Sequence, residues 1–137
     1  MDSGDDGTDR FIEVKANKQS LSSRKIIGGF GVNDAAYMVS YFLEGRRLVC
    51  PYYSVWKGMI NRCNNKKLHA RQPHYVGCSV CSEWSSFVEF KRWMITQDWR
   101  GKQLDKDLLI VGNKEYGPNS CIFVSKNLNL LLTDKAN

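Results

Sequence analysis

Residues 51–63, PYYSVWKGMINRC, carry the strongest secondary-structure signal in the chain. Their apolar and aromatic side chains recur every third or fourth residue, the spacing of one face of an α-helix. Pro51 precedes them, and proline is tolerated at a helix start because its missing N–H would have no intrahelical partner there. We therefore predict an amphipathic helix over 52–63. Its apolar face consists of Tyr52, Trp56, Met59, Ile60 and Cys63.

The segments around this helix have weaker signals. Residues 11–28 are mixed in character and predict an extended arm, whereas 64–74 predict a basic loop. Apolar and polar residues alternate over 76–81, which indicates a short strand. Ser82 is a suitable N-cap for a second helix. Its apolar stripe would consist of Trp84, Phe87, Val88 and Met94 or Ile95.

Two apolar runs near the end of the chain predict strands over 108–111 and 121–124, joined by the turn-rich segment GNKEYGPNS. A leucine-rich run over 128–132 predicts a last short helix. Together these elements indicate a small α+β domain with short β-hairpins and two to three helices.

The length of 137 residues suits a single domain, because a chain of this size can bury about two-thirds of its unfolded surface. Residues 1–10 hold four aspartates and one arginine, so we expect a disordered acidic tail before one basic domain at 11–137. No apolar run approaches the roughly 20 residues that span a bilayer, and no secretion signal is recognisable. We expect a cytoplasmic protein with no membrane partner.

The positive charge is concentrated in the middle of the chain. The formal net charge is +6, but residues 46–102 hold eleven basic and only three acidic side chains. Such a field attracts polyanions, and phosphate neutralisation releases counterions. We therefore expect a nucleic acid, preferentially double-stranded DNA, as the partner. The candidate contacts are Arg62, Lys66, Lys67, Arg71, Lys91 and Arg92.

Five cysteines are present, an odd number that argues against a disulfide framework. Cys78 and Cys81 have the two-residue gap of half a zinc site. The other half would need scattered residues such as Cys63, Cys121 or a histidine. We therefore favour free, largely buried thiols over structural Zn²⁺.

Asp105 and Asp107 flank Lys106 directly before an apolar run. Carboxylates in this position could hold Mg²⁺, a hard cation that prefers oxygen ligands. Asn119 lies just before the predicted strand 121–124, and Asn129 lies shortly after it. Ordinary turn chemistry, in which Asp and Asn satisfy loop backbone groups, explains the same residues and is favoured on spacing alone.

Four motifs in a fixed order carry a family resemblance. They are Tyr53-x-x-Trp56-Lys57-Gly58-Met59-x-x-Arg62-Cys63, Tyr75-x-Gly77-Cys78-x-Val80-Cys81-x-Glu83-Trp84-x-x-Phe87-x-x-Phe90, Leu104-Asp105-Lys106-Asp107 and Gly112-Asn113-Lys114-x-Tyr116-x-Pro118-x-x-Cys121. This order resembles bacteriophage HNH-like (His-Asn-His, His-Me finger) homing-type endonucleases, many of which continue into an apetala-type DNA-binding domain. The resemblance covers about residues 28–133 and corresponds to the core module alone.

The resemblance implies a ββα-metal site: a hairpin and a helix around one divalent ion. By motif order, Asp105 matches the first metal-site position, Asn119 the loop asparagine and Asn129 the helix position that completes the metal site. Lys106 stands in the place of the general-base histidine. Lysine has an ordinary pKa of about 10.4 and is therefore protonated at pH 7, so it cannot accept a proton from water.

Two interpretations follow from this departure. In the first, Asp105, Asp107 and Asn129 hold Mg²⁺ at a scissile phosphate, Asp107 activates water and Lys106 clamps an oxygen. In the second, hydrolysis has been lost, and the chain is a binding module for DNA or for a host protein that it inhibits or regulates. Neither interpretation requires a small-molecule cofactor, and a phage-encoded chain would act in the host cytoplasm.

Overall fold

The computed structural model describes residues 10–106 and 112–126. They form a mixed α+β fold with four helices and three two-stranded sheets in this part of the chain. The predicted acidic tail, except Arg10, lies outside the described residues. The elements are, in chain order, α1 (Lys18–Ser22), β1 (Ser40–Leu43), β2 (Arg46–Val49), α2 (Pro51–Asn64), α3 (Lys66–Arg71), β3 (Ser79–Val80), α4 (Phe87–Met94), β4 (Lys102–Asp105), β5 (Glu115–Tyr116) and β6 (Ile122–Ser125).

The helix predicted over 52–63 is confirmed as α2, with Pro51 in its first turn. The side chains of Trp56, Met59 and Ile60 are completely buried. This face packs against α4, where Phe87 lies 5.3 Å from Trp56 between ring centroids. The indole N–H of Trp56 also donates to the backbone carbonyl of Trp84 at 2.7 Å. The core therefore forms around the face that the periodicity identified.

The second predicted helix exists, but its start was placed too early. Ser82–Ser85 form a 3-10 turn, and α4 begins only at Phe87. Ser86 caps α4, because its hydroxyl accepts from the backbone N–H of Glu89. The prediction of Ser82 as the cap is therefore wrong, and Ser86 takes that role.

The predicted basic loop over 64–74 is also wrong, because residues 66–71 form the helix α3. The side chain of Asn65 accepts from the backbone N–H of Leu68 at 3.1 Å and caps this helix. A 3-10 turn at Pro73–Tyr75 follows. Six residues are too few for a clear helical period, so the capping asparagine was the only local signal.

The arm predicted over 11–28 is not entirely extended, since it contains α1. Asn17 and Ser20 form a reciprocal capping box at the start of α1. The guanidinium of Arg24 then donates to three backbone carbonyls at 2.8–2.9 Å, those of Asn33, Ala35 and Tyr37. These bonds hold the arm against the loop that leads into β1.

The hairpin β1–β2 was not predicted. Its two-residue turn is Glu44-Gly45, and both residues have positive φ, 52° and 76°. Such a turn matches the right-handed twist of the two strands. Phe42 pairs with Arg47, and Leu43 pairs with Arg46. Because neighbouring side chains of a strand point to opposite faces, these two pairs lie on opposite faces of the hairpin.

The remaining strands are short. The strand predicted over 76–81 is reduced to β3, which pairs in parallel with β5. The strand predicted over 121–124 is confirmed, shifted by one residue, as β6. Its antiparallel partner is β4, which precedes the predicted strand 108–111. That strand and the helix predicted over 128–132 lie outside the described residues.

Among the described residues, no helix combines the length and the apolar character that crossing a bilayer requires.

Candidate functional site

The predicted metal site lies at the end of β4. Asp105 is the last residue of β4, is half-buried and pairs with Ile122 of β6. Asn119 is exposed in the turn before β6. Asp107 and Asn129 lie outside the described residues. The structure thus describes Asp105 and Asn119, but not the complete predicted set.

Lys106 is buried, with only 5% of its surface exposed. Its ammonium nitrogen lies 5.7 Å from the centre of the Tyr116 ring, close enough for a cation–π contact. Its backbone carbonyl accepts from the Asn113 side chain at 3.2 Å. The side chain of Lys106 is therefore directed into the protein, towards Tyr116 of β5.

Arg62 contacts the same tyrosine from α2. Its Nε donates to the Tyr116 hydroxyl at 3.0 Å, and its guanidinium carbon lies 5.5 Å from the ring centre. Burial raises the pKa of the Tyr116 hydroxyl, and the nearby Arg62 opposes this shift. Tyr116 thus stays neutral and links α2 to the end of β4. Arg62, a candidate DNA contact, is half-buried and already uses part of its donor capacity.

Lys66, Lys67 and Arg71 are exposed on α3. None of them forms an ion pair with another described residue. Beyond α3, the rings of His74 and Tyr75 lie 4.1 Å apart between centroids and are tilted by 42° to each other. We call Lys66, Lys67 and Arg71 the α3 cluster; it presents three charges to solvent from one short helix.

The two candidate contacts on α4 are engaged with protein carboxylates. Lys91 pairs with Glu13 at 2.6 Å, retains only 18% side-chain exposure, and lies 4.4 Å from the centre of the Tyr37 ring. Arg92 pairs with Glu89 at 2.7 Å but is 68% exposed. Lys91 therefore fastens the N-terminal arm to the core, and only Arg92 remains at the surface.

All five cysteines are free thiols, and all are buried except the half-buried Cys81. Burial raises the pKa of Cys63 to about 12, with a further contribution from the neighbouring Cys78 thiol. Burial likewise raises the pKa of Cys121 to about 11, and Cys81 is again a neighbour. These thiols are therefore protonated at neutral pH. Of the predicted zinc pair, Cys78 is thus a neighbour of Cys63, and Cys81 is a neighbour of Cys121.

Within residues 10–106 and 112–126, no three or more His, Cys, Asp or Glu side chains are grouped closely enough to hold a metal ion. The Nε2–H of His69 donates to the backbone carbonyl of Arg62 at 2.7 Å. Mg²⁺ at Asp105 and Zn²⁺ at Cys78 and Cys81 therefore stay predictions.

A groove that was not predicted from the sequence runs along one side of α2. Its volume is about 780 Å³, and it lies between α2, the hairpin β1–β2 and residues 26–28. Two exposed cations, Arg47 and Lys57, line it, and none of the described residues in its lining is acidic. The other polar lining residues are Ser54, Asn61, Asn64 and Asn65, and the apolar ones include Ile27 and Ile60.

The signal for this groove was present in the sequence. Lys57, Asn61 and Asn64 recur at four- and three-residue intervals, so they form a polar stripe on the helix beside Tyr53 and Ile60 of the buried face. A polar helix face is usually only a solvated surface. What makes it a groove here is the placement of residues 26–28 and β2 beside it, which the local sequence does not specify.

No protein-family model matches the chain, and no match was found among curated proteins or among solved structures.

Proposed function

We propose that the protein is a DNA-binding module of phage type, related to HNH-like endonucleases, that contacts the backbone of double-stranded DNA. The observation that carries this proposal is the α3 cluster: three exposed cations without a carboxylate partner among the described residues. Unpaired cations are free to neutralise phosphates and to release counterions. Lys91, by contrast, is already neutralised by Glu13 and is not part of the proposed interface.

The proposal favours binding without efficient cleavage. Lys106, in the position that the resemblance assigns to the general base, is buried against Tyr116. An ammonium group in this position is remote from a phosphate that would have to enter from solvent.

The salt dependence of DNA affinity tests the binding proposal. Replacing Lys66, Lys67 and Arg71 together by Ala removes up to three phosphate contacts. The slope of log affinity against log salt concentration should then become shallower by about 2.7 for duplex DNA. The matched control replaces Lys15, Lys18 and Lys126, exposed lysines on other segments, and removes the same charge. Equal effects of both triple variants, or salt-independent binding, would refute the proposal.

Metal-dependent phosphodiester hydrolysis is a second candidate. It is supported by the antiparallel pair β4–β6 with Asp105 at its end, because the resemblance implies two antiparallel strands that present the first metal-site residue. In that case Asp105 would hold Mg²⁺ and the metal would lower the pKa of bound water. Incubation of plasmid DNA with the protein and Mg²⁺ decides between the candidates. Nicking that Asp105→Ala abolishes, with DNA affinity retained, would favour hydrolysis; no nicking would favour binding alone.

A further inference from the structure

The groove along α2 combines features that suit one strand of a nucleic acid better than a duplex. Its volume of about 780 Å³ falls in the range of ligand pockets, roughly 300–1,000 Å³. It is lined by two cations and no acidic residue among those described. A groove of this size admits a flexible single chain, whereas a double helix can only lie across its mouth.

An exposed aromatic ring stands beside the groove. Phe42 is 74% exposed, although a phenylalanine in a hairpin normally packs against its neighbours. It is the cross-strand partner of Arg47, which lines the groove. Residues paired across an antiparallel hairpin point to the same face, so Phe42 lies on the side of the groove. Bases stack on aromatic rings of this kind without strong sequence preference.

Donor groups in the groove match a phosphate chain. The guanidinium of Arg47 donates to the Ser40 hydroxyl at 3.4 Å and forms no ion pair with a described residue. Lys57 forms no ion pair with them. The Oδ1 of Asn61 accepts from Asn65 at 2.9 Å, which leaves the amide nitrogen of Asn61 as a donor. Arginine, lysine and amide N–H groups are the usual contacts to phosphate oxygens.

We infer that this groove binds a single nucleic-acid strand, with its phosphates on Arg47 and Lys57 and a base stacked on Phe42. The inference rests on the proposed nucleic-acid function and deepens it. The groove ends at Asn64 and Asn65, directly before the first residue of the α3 cluster. A strand in the groove would therefore continue onto the surface proposed for the DNA backbone.

The hairpin provides matched controls for a test. Phe42 and Arg47 form one cross-strand pair, while Leu43 and Arg46 form the next pair on the opposite face. All four side chains are exposed, so their replacement leaves the core intact. The measurement is fluorescence anisotropy with thymidine oligomers of about eight nucleotides, within the usual range for one binding site. An abasic oligomer of equal length reports the contribution of the backbone alone.

Phe42→Ala should weaken binding of the thymidine oligomer about tenfold and leave the abasic oligomer unaffected, and Leu43→Ala should change neither. Arg47→Ala should lower the salt slope by about 0.7 for both oligomers, and Arg46→Ala should not. Equal effects within each matched pair would overturn the inference. So would an abasic oligomer that binds as tightly as the thymidine oligomer, or polyglutamate that competes equally well, which would indicate an acidic protein partner.

Failure of this inference can be distinguished from failure of the proposed function. If duplex DNA binds in a manner that depends on the α3 cluster but the thymidine oligomer does not bind, the groove assignment is wrong and the DNA-binding function stands. If neither duplex nor oligomer binds, both are wrong. Circular dichroism of each variant verifies that the fold is retained.

Discussion

Cations lie both around Tyr116, near the end of β4, and on the helix α3, but their surroundings are opposite in character. Lys106 is 5% exposed and contacts the Tyr116 ring, which Arg62 contacts as well. Lys66 and Lys67 are exposed, and neither forms an ion pair with a described residue. The first group of cations contributes to stability, and the second is available to a ligand.

The difference shows that a count of basic residues does not locate a binding surface. Six residues were predicted as DNA contacts, and the structure gives Arg62 and Lys91 internal partners. A cation that is paired with a carboxylate or held against an aromatic ring is less available to bind a phosphate. The comparison therefore separates residues whose loss should reduce stability from those whose loss should reduce affinity.

The largest effect on stability is expected for Lys106→Ala. The substitution removes a buried side-chain stem and a desolvated cation–π contact, so the free energy of unfolding should fall by about 2–3 kcal/mol. Lys66→Ala should change it by less than about 0.5 kcal/mol. Urea unfolding measures both variants. An unchanged free energy of unfolding in Lys106→Ala would show that the contact between Lys106 and Tyr116 does not stabilise the fold.

Arg62→Met should have an intermediate effect. It removes the hydrogen bond to the Tyr116 hydroxyl and the contact with its ring while retaining much of the apolar stem, at a cost of about 1–2 kcal/mol. Arg71→Met, on the exposed α3, is the control and should be neutral in stability. If Arg62→Met flattened the salt slope of DNA binding as much as Arg71→Met, Arg62 would belong to the interface after all.

A smaller difference in the free energy of unfolding is expected between substitutions of the two cations of α4, Lys91 and Arg92. Lys91→Met breaks a partly buried ion pair with Glu13 and should cost about 1 kcal/mol. Arg92→Met breaks an exposed pair with Glu89 and should cost less than about 0.5 kcal/mol. Thermal unfolding at low and high salt checks this. Equal losses in both variants would contradict the assignment of Lys91 as the anchor of the arm.

The thiols predict an effect that is absent at neutral pH. Burial raises the pKa of Cys63 from 9.0 to about 12, so above pH 9 the unfolded chain loses a proton that the folded protein keeps. The free energy of unfolding should therefore fall as the pH rises from 9 towards 12. Chemical unfolding over this pH range measures the decline. Cys63→Ala should make it shallower, and an identical decline in that variant would exclude the thiol as a cause.

Helices were predictable from the sequence where the apolar spacing repeats over several turns. Fourteen residues of α2 contain several turns of apolar spacing, and the prediction of this helix is confirmed. The six residues of α3 and the five of α1 contain less than two turns each. Their helices depend on caps at Asn65 and Asn17, and a single capping residue is a weak signal.

The hairpin β1–β2 was missed for a related reason. Its strands have four residues each, and its turn is Glu44-Gly45, in which Glu44 adopts a positive φ that non-glycine residues rarely take. Asn-Gly or Asp-Gly would have been a recognisable turn signal. The hairpin supplies Arg47 to the groove, and Phe42 is the cross-strand partner of Arg47, so missing the hairpin also concealed the candidate site.

For the candidate site, the composition indicated the basic character of residues 46–102. It did not indicate which basic side chains are buried and which are exposed. Lys106 and Lys66 are chemically the same residue. Their surroundings differ, because Lys106 is buried near the ring of Tyr116 whereas Lys66 is exposed. No local sequence pattern indicates this difference.

Composition and periodicity by themselves determined that this chain has an excess of positive charge and a helix with one apolar face, because both depend only on residue type and on spacing along the chain. Only the tertiary structure decided which cations meet a carboxylate or a ring and which remain free for a ligand. The physical reason is that desolvation and pairing depend on distances through space. Those distances are set by how α2, α3, the hairpin β1–β2 and the pair β4–β6 are arranged in the fold.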